Sequence, residues 1–140
     1  MKIQDIINIE RIGKKLILIK IIDTKGSVPR NKNVTMVISK KHQFGTIGGG
    51  KLEYNATNES IKLLNDSNSH EKIIEFPLGP SLGQCCGGYI KIKLNKYING
   101  RNLLNKNDLK DEILNQNQNL YIFGAGHVSE SIMKKLDGTG

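Results

Sequence analysis

Two adjacent cysteines, Cys85 and Cys86, lie in the run Leu82, Gly83, Gln84, Cys85, Cys86, Gly87, Gly88. Flanking glycines can aim backbone N–H groups at a thiolate and lower its pKa, which suits a nucleophile, a persulfide carrier or a ligand to a soft metal. The competing reading is a pair of buried apolar thiols. Sequence neighbours cannot close an ordinary disulfide, because the bridge would strain a ring across one peptide bond. The chain has no other cysteine, which argues against a secreted disulfide scaffold and against a four-ligand zinc site.

Three further motifs combine glycine with groups that recognise anions. Gly26, Ser27, Val28, Pro29, Arg30 offers close backbone approach at Gly, a fixed turn at Pro and a planar donor fork at Arg30 for a phosphate or carboxylate; it equally fits a solvated surface turn. Gly45, Thr46, Ile47, Gly48, Gly49, Gly50, Lys51, Leu52, Glu53 runs three glycines into a helix. The exposed N–H groups and the helix N-terminus there make either an anion cradle or a tightly packed turn. The spacing is not that of a Walker loop. Gly124, Ala125, Gly126, His127, Val128, Ser129 resembles a dinucleotide fingerprint, with Ser129 in place of its third Gly. His42, His70 and His127 stand in unrelated contexts, and no acid–base pair in residues 1–100 suggests an autonomous hydrolase.

The elements that must position these motifs follow from hydrophobic period. Ile3, Ile6, Ile7 and Ile9 mark one face of an opening helix over residues 2–12. Leu16 to Asp23 reads as a buried strand, and Val34 to Ser39 with Gln43 to Ile47 as a hairpin turning at Lys40 to His42. A helix over Lys51 to Asn65 and strands over Lys72 to Leu78 and Tyr89 to Leu94 follow, the last alternating Ile90, Ile92 and Leu94 with Lys91 and Lys93. The polar stretch Asn95 to Asn119 marks a boundary. Leu120 to Phe123 and His127 to Leu136 then read as the first strand and helix of a Rossmann unit, which needs more chain than follows.

The 140 residues carry a net charge of +8, and residues 1–51 hold all of it, with eleven Lys or Arg against Asp5, Glu10 and Asp23. An anionic partner is drawn to that segment, unless the lysines are only a solvated surface. Too few aromatics interleave with them for nucleic-acid stacking, so no nucleic-acid partner is expected. No apolar run approaches the roughly 20 residues of a membrane span, and Met1 to Arg11 lacks the pattern of a secretory leader. The expectation is a soluble, cytoplasmic protein without a membrane partner.

In their order and spacing, Gly26 to Arg30, Met36, Gly45 to Gly50, Leu52 with Glu53, and Cys86 to Gly88 resemble the XdhC and CoxI-like family of accessory proteins for molybdenum hydroxylases; Gly124 to Val128 is similar to that family's GAGHV segment. The pattern departs at Asn33 and Val34, where the family usually has Gly and Ala, which bears on the turn after Arg30. The resemblance implies an α+β domain over residues 1–98, with a mixed sheet and a helix after the Gly-rich loop. A linker over 99–119 and the incomplete opening of a Rossmann domain over 120–140 complete the expected organisation.

The same resemblance implies a function: binding the molybdenum cofactor (molybdopterin), protecting it during sulfuration and passing it to a hydroxylase such as xanthine dehydrogenase. It makes the chain a chaperone or maturation factor in preference to an enzyme. Carried over, Arg30 and Gly48, Gly49 and Gly50 are cofactor-binding residues, Cys85 and Cys86 approach molybdenum or sulfur as metal ligands, and Gly124 and Gly126 belong to a nucleotide site. A cysteine desulfurase and a second copy of the chain join the hydroxylase as expected partners. Two rival readings stand: a Rossmann-type nucleotide-binding oxidoreductase using the vicinal cysteines, and a non-catalytic adaptor that docks an acidic partner on its basic surface.

Overall fold

The computed structural model describes residues 3–28, 30, 32–78, 88–106 and 108–109. Their elements run α1 (Ile3–Glu10), β1 (Leu16–Lys25), β2 (Thr35–Ser39), β3 (Gln43–Gly45), α2 (Gly50–Asn65), β4 (Glu71–Leu78), β5 (Gly88–Tyr97) and α3 (Gly100–Asn105). The strands form one sheet in the order β3-β2-β1-β5-β4. The α+β expectation holds, with one correction: the sheet is not mixed, since each pairing is antiparallel. The reason is topological. β4 follows the helix α2 but lands at the opposite edge, beside β5, so the crossover creates no parallel neighbours. The Rossmann opening expected over 120–140 lies outside the described residues.

β1 sits third of five and is buried on both faces over Leu16 to Ile19, which explains the Leu and Ile run there. Ile17, Ile19 and Ile21 join Met36, Ile38, Phe76, Ile90, Ile92 and Leu94 beneath α2, which contributes Leu52, Ala56, Leu63 and Leu64. Burying each of those leucines is worth about 1.5–3 kcal/mol. Ser60 is also fully buried, and its hydroxyl donates to the Ala56 carbonyl at 2.8 Å, so that hydroxyl is not stranded.

Leu16 and Leu18 point the other way, to a second cluster with Ile9, Val37, Tyr97, Leu103 and Leu109. α1 enters this layer through Ile9, while Ile7, expected on the same apolar face, is 38% exposed. α3 lies within the stretch read from sequence as polar connector. Asn99 caps it by accepting from the Asn102 N–H at 2.8 Å. The Tyr97 hydroxyl donates to Asp108, and burial followed by that hydrogen bond pushes its pKa up.

The contact between α1 and α3 depends on Gly100. A Cβ at that position would lie 1.6 Å from the Ile9 carbonyl oxygen, and the Gly100 N–H donates to the Ile12 carbonyl at 2.8 Å. Gly100→Ala must therefore push the two helices apart, at a cost of about 1–3 kcal/mol. Urea unfolding should show a lower midpoint with an unchanged slope; an unaltered midpoint would mean that the helices are not seated this closely.

Candidate functional site

Antiparallel order brings the motif loops to one end of the sheet. Lys25 at the end of β1 pairs with Tyr89 near the start of β5, Leu78 at the end of β4 pairs with Gly88, and Met36 near the start of β2 pairs with Gly45 at the end of β3. The connections 26–34, 46–49 and 79–87 all leave from that end. They carry, respectively, Arg30, Gly48 and Gly49 (with Gly50 opening α2), and the two cysteines.

The first and third motifs touch. A Cβ on Gly88 would fall 2.0 Å from the Ser27 carbonyl oxygen and 3.0 Å from that of Lys25, so only glycine lets the end of the cysteine loop lie against the Gly26 to Arg30 turn. Val28 packs partly buried on the core below, and Arg30 is exposed. Farther along, Lys32 pairs with Asp23 at 2.7 Å, and its hydrogen bond holds the Asp23 carboxyl below the usual range. Asn33 takes φ 69°, a left-handed conformation that Asn tolerates better than most residues. The departure from the family's Gly at this position thus preserves a turn of the kind that Gly makes.

In the second motif Gly48, Gly49 and Gly50 adopt φ of 127°, 73° and 59°. Three successive positive values explain the triple glycine better than a need for exposed amides does. Several of those amides are already engaged. One oxygen of the Glu53 carboxylate accepts from the Thr46 hydroxyl at 2.6 Å, the Ile47 N–H at 3.2 Å and the Gly49 N–H at 3.0 Å; the other accepts from Gln43 Nε2 at 2.6 Å. The Gly48 N–H turns to the Thr46 hydroxyl oxygen at 3.2 Å. Burial pushes the Glu53 carboxyl up, but the hydrogen bonds from Thr46, Gly49, Gln43 and Ile47 together hold it below its usual value. The anion that the loop's inner amides were read to cradle is supplied by the protein itself.

Of the residues expected at the site, Arg30 and Gly48, Gly49 and Gly50 are brought to one end of the sheet. Cys85, Cys86, Gly124 and Gly126 lie outside the described residues. Gly49 keeps an open side: a Cβ there would meet nothing within 4 Å. Among the described residues no group of three or more His, Cys, Asp and Glu could hold a metal ion, and His42 and His70 are exposed at the opposite end. Among them also, no helix is long and apolar enough to cross a membrane. The sequence reading quoted Glu53 as part of a motif but missed its role. The available signal was a carboxylate four residues after the last loop turn, close to the spacing of a capping box.

Residues 10–77 match the model of the XdhC and CoxI family, and the resemblance read from the motifs stands over that segment. A crystal structure described as a xanthine dehydrogenase from Bacillus halodurans is similar in fold, with a TM-score of 0.66 and 21% sequence identity over 82% of this chain. The chain spans 36% of that structure's length. No curated protein matches this chain significantly.

Glu53 gives the loop a pH signature. A carboxyl held below its ordinary 4.5 in the fold contributes stability that is fully present above that value and is lost as pH falls through the lower folded value. Glu53→Ala should cost roughly 2–3 kcal/mol at neutral pH through the lost charge-assisted bonds, with a smaller loss for Glu53→Gln. Thermal melts from neutrality to acid should show the gap between wild type and Glu53→Gln closing below pH 4.5; a gap that stays constant would remove the carboxylate from this role.

Proposed function

With the match of residues 10–77 to the XdhC and CoxI family as premise, we propose that this chain serves molybdenum enzyme maturation. In this reading it binds the molybdenum cofactor as cargo, shields it during sulfuration and delivers it to a xanthine dehydrogenase-like molybdenum hydroxylase. The observation that carries the reading is the convergence of three family motifs on one end of the sheet.

The residues present there fit an anionic, flat ligand in a specific way. Because Glu53 already occupies the Ile47 and Gly49 amides, the Gly48 to Gly50 loop acts through its shape. It offers a surface without side chains whose open side at Gly49 admits close approach. Negative charge on the cargo is then met by the exposed Arg30, whose guanidinium donates in a plane that matches a phosphate. Cys85 and Cys86, carried on the loop between Leu78 and Gly88, approach molybdenum or sulfur as soft ligands. Gly124 and Gly126 are assigned to a nucleotide, and a cysteine desulfurase is the docked source of sulfur. The protein's own work is to bind, orient and exclude water; no turnover is needed.

The test is anaerobic loading of the purified chain with molybdenum cofactor, followed by gel filtration and measurement of molybdenum per protein. Wild type should retain the cofactor near stoichiometry, Cys85→Ser plus Cys86→Ser should lose it, and Arg30→Gln should bind about tenfold more weakly, equivalent to about 1.4 kcal/mol. Equal retention by the double-serine variant, or none by wild type, would overturn the assignment.

A further inference from the structure

At the end of the sheet away from the motif loops, the α1–β1 connection, the β2–β3 turn and the end of α2 enclose a cleft of about 1160 Å³. Arg11, Lys14, Lys15, Lys40 and Lys41 line it, and all five are exposed. Among the described residues none of them has a carboxylate partner. Other lysines of the fold are matched: Lys32 with Asp23, Lys62 and Lys72 with Glu59, Lys91 with Glu75, and Lys93 with Glu71. Five like charges around one cleft repel one another in the free protein, and an acidic occupant would relieve that repulsion while being steered toward the site.

The floor of the cleft is apolar. Leu64 is buried, Ile12 and Phe44 are half-buried, and Ile98 stands 65% exposed at the cleft's edge. A ring of cations about an apolar floor selects an occupant that carries both carboxylates and a hydrophobic side chain. Phe44 lies near His42, with ring centroids 6.1 Å apart, but among the described residues that line the cleft no series of aromatic platforms follows along which successive nucleobases would stack.

We propose that this cleft is a docking site for an acidic peptide segment of a partner protein, one whose Leu or Phe side chain enters between the lysines. The site lies opposite the motif loops, so a partner held here leaves Arg30 and the glycine loop accessible. The inference stands independently of the cofactor reading.

The probe is a fluorescein-labelled peptide of about ten residues in which Asp and Glu flank one Leu and one Phe, titrated with the full chain and read by fluorescence polarisation. Lys40→Glu plus Lys41→Glu should weaken binding at least roughly tenfold, and Lys14→Glu plus Lys15→Glu should do the same. A peptide with Ser at the two apolar positions should also bind roughly tenfold more weakly, and added salt should weaken all binding. Arg30→Gln, at the other end of the sheet, should leave the affinity unchanged. Thermal melts of both reversal variants, run alongside, should show cooperative unfolding. Equal binding by wild type and both folded reversal variants would overturn the proposal, as would equal binding of the serine peptide. Tighter binding of an oligothymidylate of equal charge would give the cleft to nucleic acid. A wild-type dimer that dissociates on charge reversal would give it to a second copy; either result also overturns the proposal.

Discussion

The carboxylate of Glu53 is the joint on which the candidate site depends. It accepts from Gln43 on β3, from Thr46 and Ile47 in the connection, and from Gly49 at the mouth of α2. One side chain thus ties an edge strand to the first turn of the helix that covers the sheet. Without that anion, the inner amides of the loop would face one another unpaired, a costly arrangement once partly withdrawn from water. The positive φ angles of Gly48 to Gly50 are the backbone's half of the same arrangement, because the chain must reverse tightly enough to aim those N–H groups at one oxygen.

This changes how a glycine-rich loop before a helix is to be read. The usual inference runs from exposed amides and a helix N-terminus to a bound phosphate. Here an internal carboxylate takes that place, and what remains open is the side of Gly49, where a Cβ would meet nothing within 4 Å. Rigidity has its own value at a binding site, since a loop already held in one conformation loses little freedom when a ligand arrives. Gly88 acts similarly on the neighbouring loop: its missing side chain lets the strand bearing the cysteine connection pack directly on Ser27.

Much of the fold was legible because its elements have clean periods. The alternation of Ile90, Ile92 and Leu94 with Lys91 and Lys93 anticipated a strand with one core face and one wet face, and the structure pairs those lysines with Glu75 and Glu71. α2 was visible from its apolar spacing and glycine start. Strand order was not legible, because periodicity identifies a strand without naming its neighbours; the mixed sheet expected from sequence became antiparallel once β4 settled beside β5. α3 was missed because six residues, Gly100–Asn105, carry less than two full turns of pattern, and its stability comes from Asn99 and from packing on α1. At the site, motif spacing identified which segments matter, but it could not tell that Glu53 would use the amides assigned to a ligand. That is a property of side-chain direction in three dimensions.

The distribution of charge separates two demands that one surface would meet poorly. At the motif end, the carboxylates of Asp23 and Glu53 are spent on organising loops, and Arg30 is left as an exposed cation. At the other end, five cations line one cleft, and no carboxylate among the described residues pairs with them. Strong clustered charge acts over about a Debye length and favours encounter with a large partner, whereas recognition of a small ligand depends on fixed short-range geometry. β1 bridges the two ends: its Lys25 end adjoins the motif loops and its Leu16 end, paired with Ser39, borders the cleft, while on the β3 side they come closer, since Phe44 lines the cleft next to Gln43, which donates to Glu53.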